Sequence, residues 1–167
     1  QPSAEGEALL VEEMLRMVPK EAETVADLFC GLGTFTFALA VRRHRVHAVE
    51  AANAPLAALW TAARRNDQAS RITVEERDLT SRPIRATELE GGDAVVFDPP
   101  RAGARDQAVE LAASEIPTII AVSCNPATFA RDARILTDGG YRLAEVTPID
   151  QFPWSAHLEL VAQFVRD

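Results

Sequence analysis

Two thiols and a small set of acids could do chemistry in this chain, and their surroundings rank them. Cys124 stands in Val122-Ser123-Cys124-Asn125-Pro126, at the end of the apolar run 119–122 and directly before a helix opening at Pro126. The run reads as a buried strand. A thiol at the carboxyl end of a parallel strand sits where open α/β sheets bind ligands, and the amino end of the next helix favours a thiolate, so the position suits a nucleophile. The second thiol, Cys30, lies within Asp27-Leu28-Phe29-Cys30-Gly31-Leu32-Gly33 and reads as structural. That segment resembles a nucleotide-cofactor turn, because Gly31 and Gly33 let the backbone approach a ligand just ahead of a helix. It lacks the full G-x-G-x-x-G spacing of a dinucleotide site. Glu50 follows the turn by about twenty residues, where an acid can accept from both hydroxyls of a ribose. Asp78, beyond the third strand, could accept from an adenine amino group; an isolated Asp there is otherwise a turn residue.

These residues need a sheet to hold them, and the chain alternates accordingly. Apolar spacing predicts a helix over 4–18 stopped by Pro19, then strand 25–29, the glycine turn and helix 35–41. Strand 46–50, helix 55–66 and a weak strand 72–74 follow. Next come strand 93–97, ending in Asp98-Pro99-Pro100-Arg101, helix 104–114, strand 118–122 and helix 127–137, stopped by Gly139-Gly140. The tail reads as strands 141–149 and 158–165 joined by loop 150–157. Alternation of this kind predicts an α/β fold with a mostly parallel sheet of seven strands. The last two strands leave no room for a helix between them, so they should form an antiparallel hairpin. One domain over 1–167 is expected, with the chain being the C-terminal part of something longer.

Nearly half the residues are apolar (47%), enough for an ordinary core, while the net charge of −8 argues against binding nucleic acid over the whole surface. Any such contact is local. Arg42-Arg43 with Arg45, Arg64-Arg65, Arg82 with Arg85, Arg101 with Arg105, and Arg131 with Arg134 are the local clusters, each also readable as a solvated face. No apolar run is long enough to cross a bilayer, and the expected setting is cytoplasmic. Two distant cysteines suggest neither a metal site nor a disulfide framework.

The spacing of turn, Glu50 and Asp78 is similar to that of the Rossmann-like S-adenosylmethionine-dependent methyltransferases over the whole chain. An NAD enzyme, the competitor, would want a third glycine near 34–37 and a substrate domain. Three further segments resemble the RNA uracil-C5 methyltransferases, which form 5-methyluridine in tRNA and rRNA: Asp98-Pro99-Pro100-Arg101-Ala102-Gly103, Ser123-Cys124-Asn125-Pro126, and Phe152-Pro153 followed by His157-Leu158-Glu159. Amino-methylating enzymes put an aromatic residue where Arg101 stands, and RNA cytosine-C5 enzymes put a cysteine at Pro100 or Arg101.

The resemblance implies S-adenosylmethionine as cofactor, tRNA or rRNA as partner, Cys124 as nucleophile at uracil carbon 6, and Glu159 as the base that removes the carbon 5 proton. It implies cofactor contacts from Gln1, Phe29, Gly31, Gly33, Thr34, Glu50, Asp78 and Asp98, with Asp98 also near the target base. Arg101 would hold the target nucleotide's phosphate or orient Asp98. Phe152, with Trp154, would stack on a flipped base. His157 reads as a surface residue. It further implies an N-terminal RNA-binding domain outside this sequence, in some members with an iron-sulfur cluster. A methyltransferase acting on a small molecule or protein, with Cys124 structural, and a noncatalytic cofactor-fold scaffold are the alternatives. Oligomeric state is left open.

Overall fold

A computed structural model describes residues 4–150 and 158–167. Among the described residues seven strands form one sheet in the order β3-β2-β1-β4-β5-β7-β6. In chain order the elements are α1 (Ala4–Met17), β1 (Thr24–Leu28), α2 (Thr34–Val41), β2 (Arg45–Glu50), α3 (Asn53–Arg65), β3 (Ile72–Glu76), a 3-10 turn (Ala86–Leu89), β4 (Ala94–Phe97), α4 (Arg105–Ala113), β5 (Thr118–Ser123), α5 (Pro126–Asp138), β6 (Arg142–Asp150) and β7 (Leu158–Val165). The first five strands pair in parallel, and β7 lies antiparallel between β5 and β6.

Every residue of β4 and β5 is buried, as expected of strands covered on both faces. Strand alternation divides their side chains between two cores. Ile120 and Val122 join Met14, Leu39 and Leu59 from α1, α2 and α3 on one face. Ile119 and Ala121 join Ala108 and Leu111 of α4 and Leu136 of α5 on the other. These two layers fix the carboxyl ends of β1, β2, β4 and β5 along one rim.

Several boundaries move for physical reasons. β1 ends at Leu28 because Phe29 turns to φ 65, which breaks the extended backbone. β3 runs on to Glu76 because β2 continues to pair with it, Glu50 against Glu76. α3 starts at Asn53, with Pro55 tolerated inside its first turn. The 3-10 turn, too short for a periodic signal, is held by Arg77, whose guanidinium donates to Glu88 and to the carbonyls of Arg82 and Pro83.

Candidate active site

The glycine turn is built around a single carboxylate. Glu50, at the end of β2, accepts from the Gly31 amide at 3.0 Å through Oε2 and from the Ala51 and Ala52 amides at 2.8 and 3.0 Å through Oε1. It therefore ties the end of β2 to the turn after β1. Gly31, at φ 54, has nothing within 4 Å of where a Cβ would stand, so the tip is open to a ligand. Gly33 is different: at φ 90 its added Cβ would lie 2.6 Å from Leu59 Cδ1. Thr34 is exposed at the start of α2. Phe29 is half-buried with its ring 6.1 Å from that of Phe97.

Asp27, missed in the sequence reading, lies beneath this turn. It is fully buried on β1, with Oδ2 accepting from Thr36 at 2.5 Å and Oδ1 without a partner among the described residues. Burial raises its pKa to about 6 against the Thr36 hydrogen bonds, with Glu50 adding to the rise. The signal was an acid inside the otherwise apolar strand Val25-Ala26-Asp27-Leu28-Phe29. Cys30 is buried, and burial, with Asp27 and Glu50, pushes its thiol well above the usual range. The structural reading of Cys30 fits that.

Asp78 is exposed and committed to its own turn. Its carboxylate accepts from the Thr80 amide at 3.0 Å and from the Thr80 and Ser81 hydroxyls at 2.5 and 2.9 Å, which lowers its pKa. Of the two readings given to it, turn residue and adenine acceptor, the geometry displays the first.

The chemical half lies at the ends of β4, β5 and β7. Cys124 is exposed just past β5. β5 pairs antiparallel with β7 as far as Ser123 against Leu160, so Cys124 directly follows the last paired residue of β5 and Glu159 directly precedes its counterpart in β7. Asp98 is half-buried after β4; burial first, then Asp27 and Glu159, push its pKa up to about 7. The Cys124 thiol is also raised, by burial and then by Glu159, with Asp98 adding to the rise and the Arg101 cation opposing it. The helix amino end was expected to favour the thiolate, whereas burial and the two nearby carboxylates act in the opposite direction.

The structure thus brings Cys124, Glu159, Asp98 and Arg101 within electrostatic reach of one another. Phe29, Gly31, Gly33, Thr34 and Glu50 lie at the ends of the neighbouring strands β1 and β2. Gln1, Phe152, Trp154 and His157 lie outside the described residues. A 400 Å³ groove opens elsewhere, lined by Thr24, Arg45 and His47 at the amino ends of β1 and β2, remote from the rim where such sheets bind ligands. No group of acids, histidines or cysteines suited to a metal ion occurs among the described residues. No helix among them is long and apolar enough to cross a membrane.

This strand order, with a glycine turn after β1 and an acid ending β2, is the Rossmann-like methyltransferase fold. A solved tRNA (uracil-54, C5)-methyltransferase of Pyrococcus abyssi, in complex with S-adenosyl-L-homocysteine, is similar to it with a TM-score of 0.82 and 32% identity, over 95% of this chain and 38% of that one. Residues 1–165 match the tRNA (uracil-5-)-methyltransferase family, and the chain belongs to that family. Among curated relatives, an uncharacterized RNA methyltransferase of Agrobacterium fabrum is 54% identical over 97% of this chain and 38% of its own length. The 23S rRNA (uracil(1939)-C(5))-methyltransferase RlmD of Pseudomonas putida is 39% identical over 98% of this chain and 36% of its own. The chain thus spans well under half the length of these relatives.

Proposed function

We propose that this chain is a catalytic domain that transfers a methyl group from S-adenosylmethionine to carbon 5 of a uridine in tRNA or rRNA, with Cys124 as nucleophile and Glu159 as base. The observation that carries the reading is the exposed thiol just past β5, lying within electrostatic reach of Glu159 of β7 and of Asp98 after β4. Family membership and the rRNA (uracil-C5) relative support the substrate class.

The residues present fit the cofactor. The open tip at Gly31, the amide-held carboxylate of Glu50 and the orphaned Oδ1 of the buried Asp27 supply room, a ribose acceptor and uncompensated negative character. When bound, S-adenosylmethionine supplies an electrophilic methyl group. The rest falls to the protein. Uracil carbon 5 is a poor nucleophile until sulfur bonds to carbon 6, which makes the ring an enolate able to take the methyl group. Glu159 then accepts the carbon 5 proton, the carbon–sulfur bond breaks, and the thiolate leaves. A thiol held above its ordinary pKa stays largely protonated before substrate arrives, so its proton must pass to a neighbouring group during attack. Asp98, at about 7, is poised to take it near neutral pH.

RNA affinity belongs mainly outside these 167 residues in this reading, consistent with the net charge of −8. This chain alone then binds the cofactor but methylates RNA weakly. The test is methylation of unmodified tRNA and rRNA fragments by the full-length protein, with the product nucleoside identified. 5-Methyluridine supports the reading; methylation at nitrogen or at cytosine, or full-rate turnover by this chain alone, contradicts it.

A further inference from the structure

Within the Ser-Cys-Asn-Pro segment, Asn125 is bonded at both ends of its carboxamide. Its Oδ1 accepts from the Ala127 amide at 3.0 Å, the side-chain cap of α5. Its Nδ2 donates to the Arg101 carbonyl at 3.1 Å. The orientation is set by those partners, since turning the amide over would put donor against donor and acceptor against acceptor.

The loop 98–104, which carries Asp98 and Arg101, is fastened to α5 at further points. Thr128 Oγ1 lies 3.2 Å from the same Arg101 carbonyl, the Arg131 guanidinium donates to the Ala102 carbonyl at 3.2 Å, and buried Asp132 accepts from the Ala104 amide at 3.1 Å. The approach is close enough that a Cβ on Gly103, at φ 71, would fall 2.7 Å from Asp132 Oδ2. Asn125 alone in this set is also the immediate neighbour of the thiol.

We propose that Asn125 is a positioning residue of the methyl transfer, locking the backbone of Arg101 to the first turn of α5 so that Arg101 and Cys124 keep one fixed relation. This rests on the reading that Cys124 is the nucleophile. The groups facing the thiol among the described residues are Glu159 of β7 and Asp98 and Arg101 of the loop after β4. Arg101 is the cation of the three, and releasing its backbone weakens the opposition to the two acids.

Asn125→Ser separates capping from clamping, because serine caps a helix about as well as asparagine but cannot reach the carbonyl. The experiment uses full-length N125S, N125A and wild type, and measures iodoacetamide alkylation of Cys124 against pH, with adduct formation on RNA containing 5-fluorouridine. In N125S the alkylation profile moves to higher pH, and adduct formation slows about tenfold with cofactor affinity unchanged. Wild-type pH profile and adduct rate in both variants, with only N125A losing thermal stability, reduces Asn125 to a helix cap and overturns the proposal. Should N125S fail to fold, R101M in the otherwise native clamp must give the same upward shift, and an unmoved profile there overturns the proposal equally. Failure of wild type to form any adduct would instead remove the covalent reading itself.

Discussion

Cys124 stands just past the end of β5, beside the strand β7 that carries Glu159, and burial first, then that acid, raise the thiol's pKa. In the proposed mechanism the two groups cooperate only when a pyrimidine lies between them. Replacing the acid has effects of opposite sign. In Glu159→Gln the thiol loses a nearby negative charge, so alkylation of Cys124 at pH 7 speeds up by roughly twofold to fivefold. Turnover falls by about a thousandfold or more, and the RNA–protein adduct on ordinary uridine accumulates because the carbon 5 proton has no acceptor. Alkylation kinetics and a denaturing gel read the two effects separately.

Asp98 gives a stability prediction whose sign follows from its pKa, raised from 3.8 to about 7 by burial and by Asp27 and Glu159. The native state holds that proton where the unfolded chain has released it, so the contribution is complete below pH 3.8 and is lost as pH rises towards about 7. Asp98→Asn, which cannot ionise, should raise the melting temperature at pH 8 by on the order of 5 °C and change it far less at pH 4. The same substitution should abolish methylation. Thermal melts at the two pH values check the sign.

The two turn glycines should separate fold from cofactor. Gly33→Ala combines a left-handed backbone with a contact against buried Leu59, and should cost about 2–3 kcal/mol of stability. Gly31→Ala meets no atom within 4 Å and should cost about 1 kcal/mol, but its methyl occupies the open tip and should weaken S-adenosylmethionine binding about tenfold. Denaturant melts and calorimetric titration distinguish them.

Glu50→Ala leaves the amides of Gly31, Ala51 and Ala52 without their shared acceptor. Cofactor affinity should fall at least about tenfold, from lost ribose contact and from a loosened turn together. Glu50→Gln, which keeps an oxygen for the amides, should recover part of that loss in the same titration.

The order of strands and helices was legible because β4 and β5 are continuous apolar runs and the helices carry periodic faces. Cys124 and the turn residues were legible for the same reason: each sits where a strong local pattern stops. The ionisation of the thiol was not, because it depends on burial, which is a fact of packing, and on an acid thirty-five residues away that arrives only when β7 inserts between β5 and β6. Asp27 was passed over because its unpartnered oxygen is a fact of packing, not of spacing. Asp78 illustrates the converse, a well-spaced acid whose oxygens turn out to serve neighbouring hydroxyls.

The sulfur is the group on which everything else turns. RNA carrying 5-fluorouridine, incubated with the full-length protein and S-adenosylmethionine, should give a denaturation-resistant complex whose mass matches one methylated RNA per protein, mapped by peptide sequencing to Cys124 and lost in Cys124→Ser. A Cys124→Ser protein that still forms 5-methyluridine at the wild-type rate, or an adduct that maps to any other residue, would contradict it.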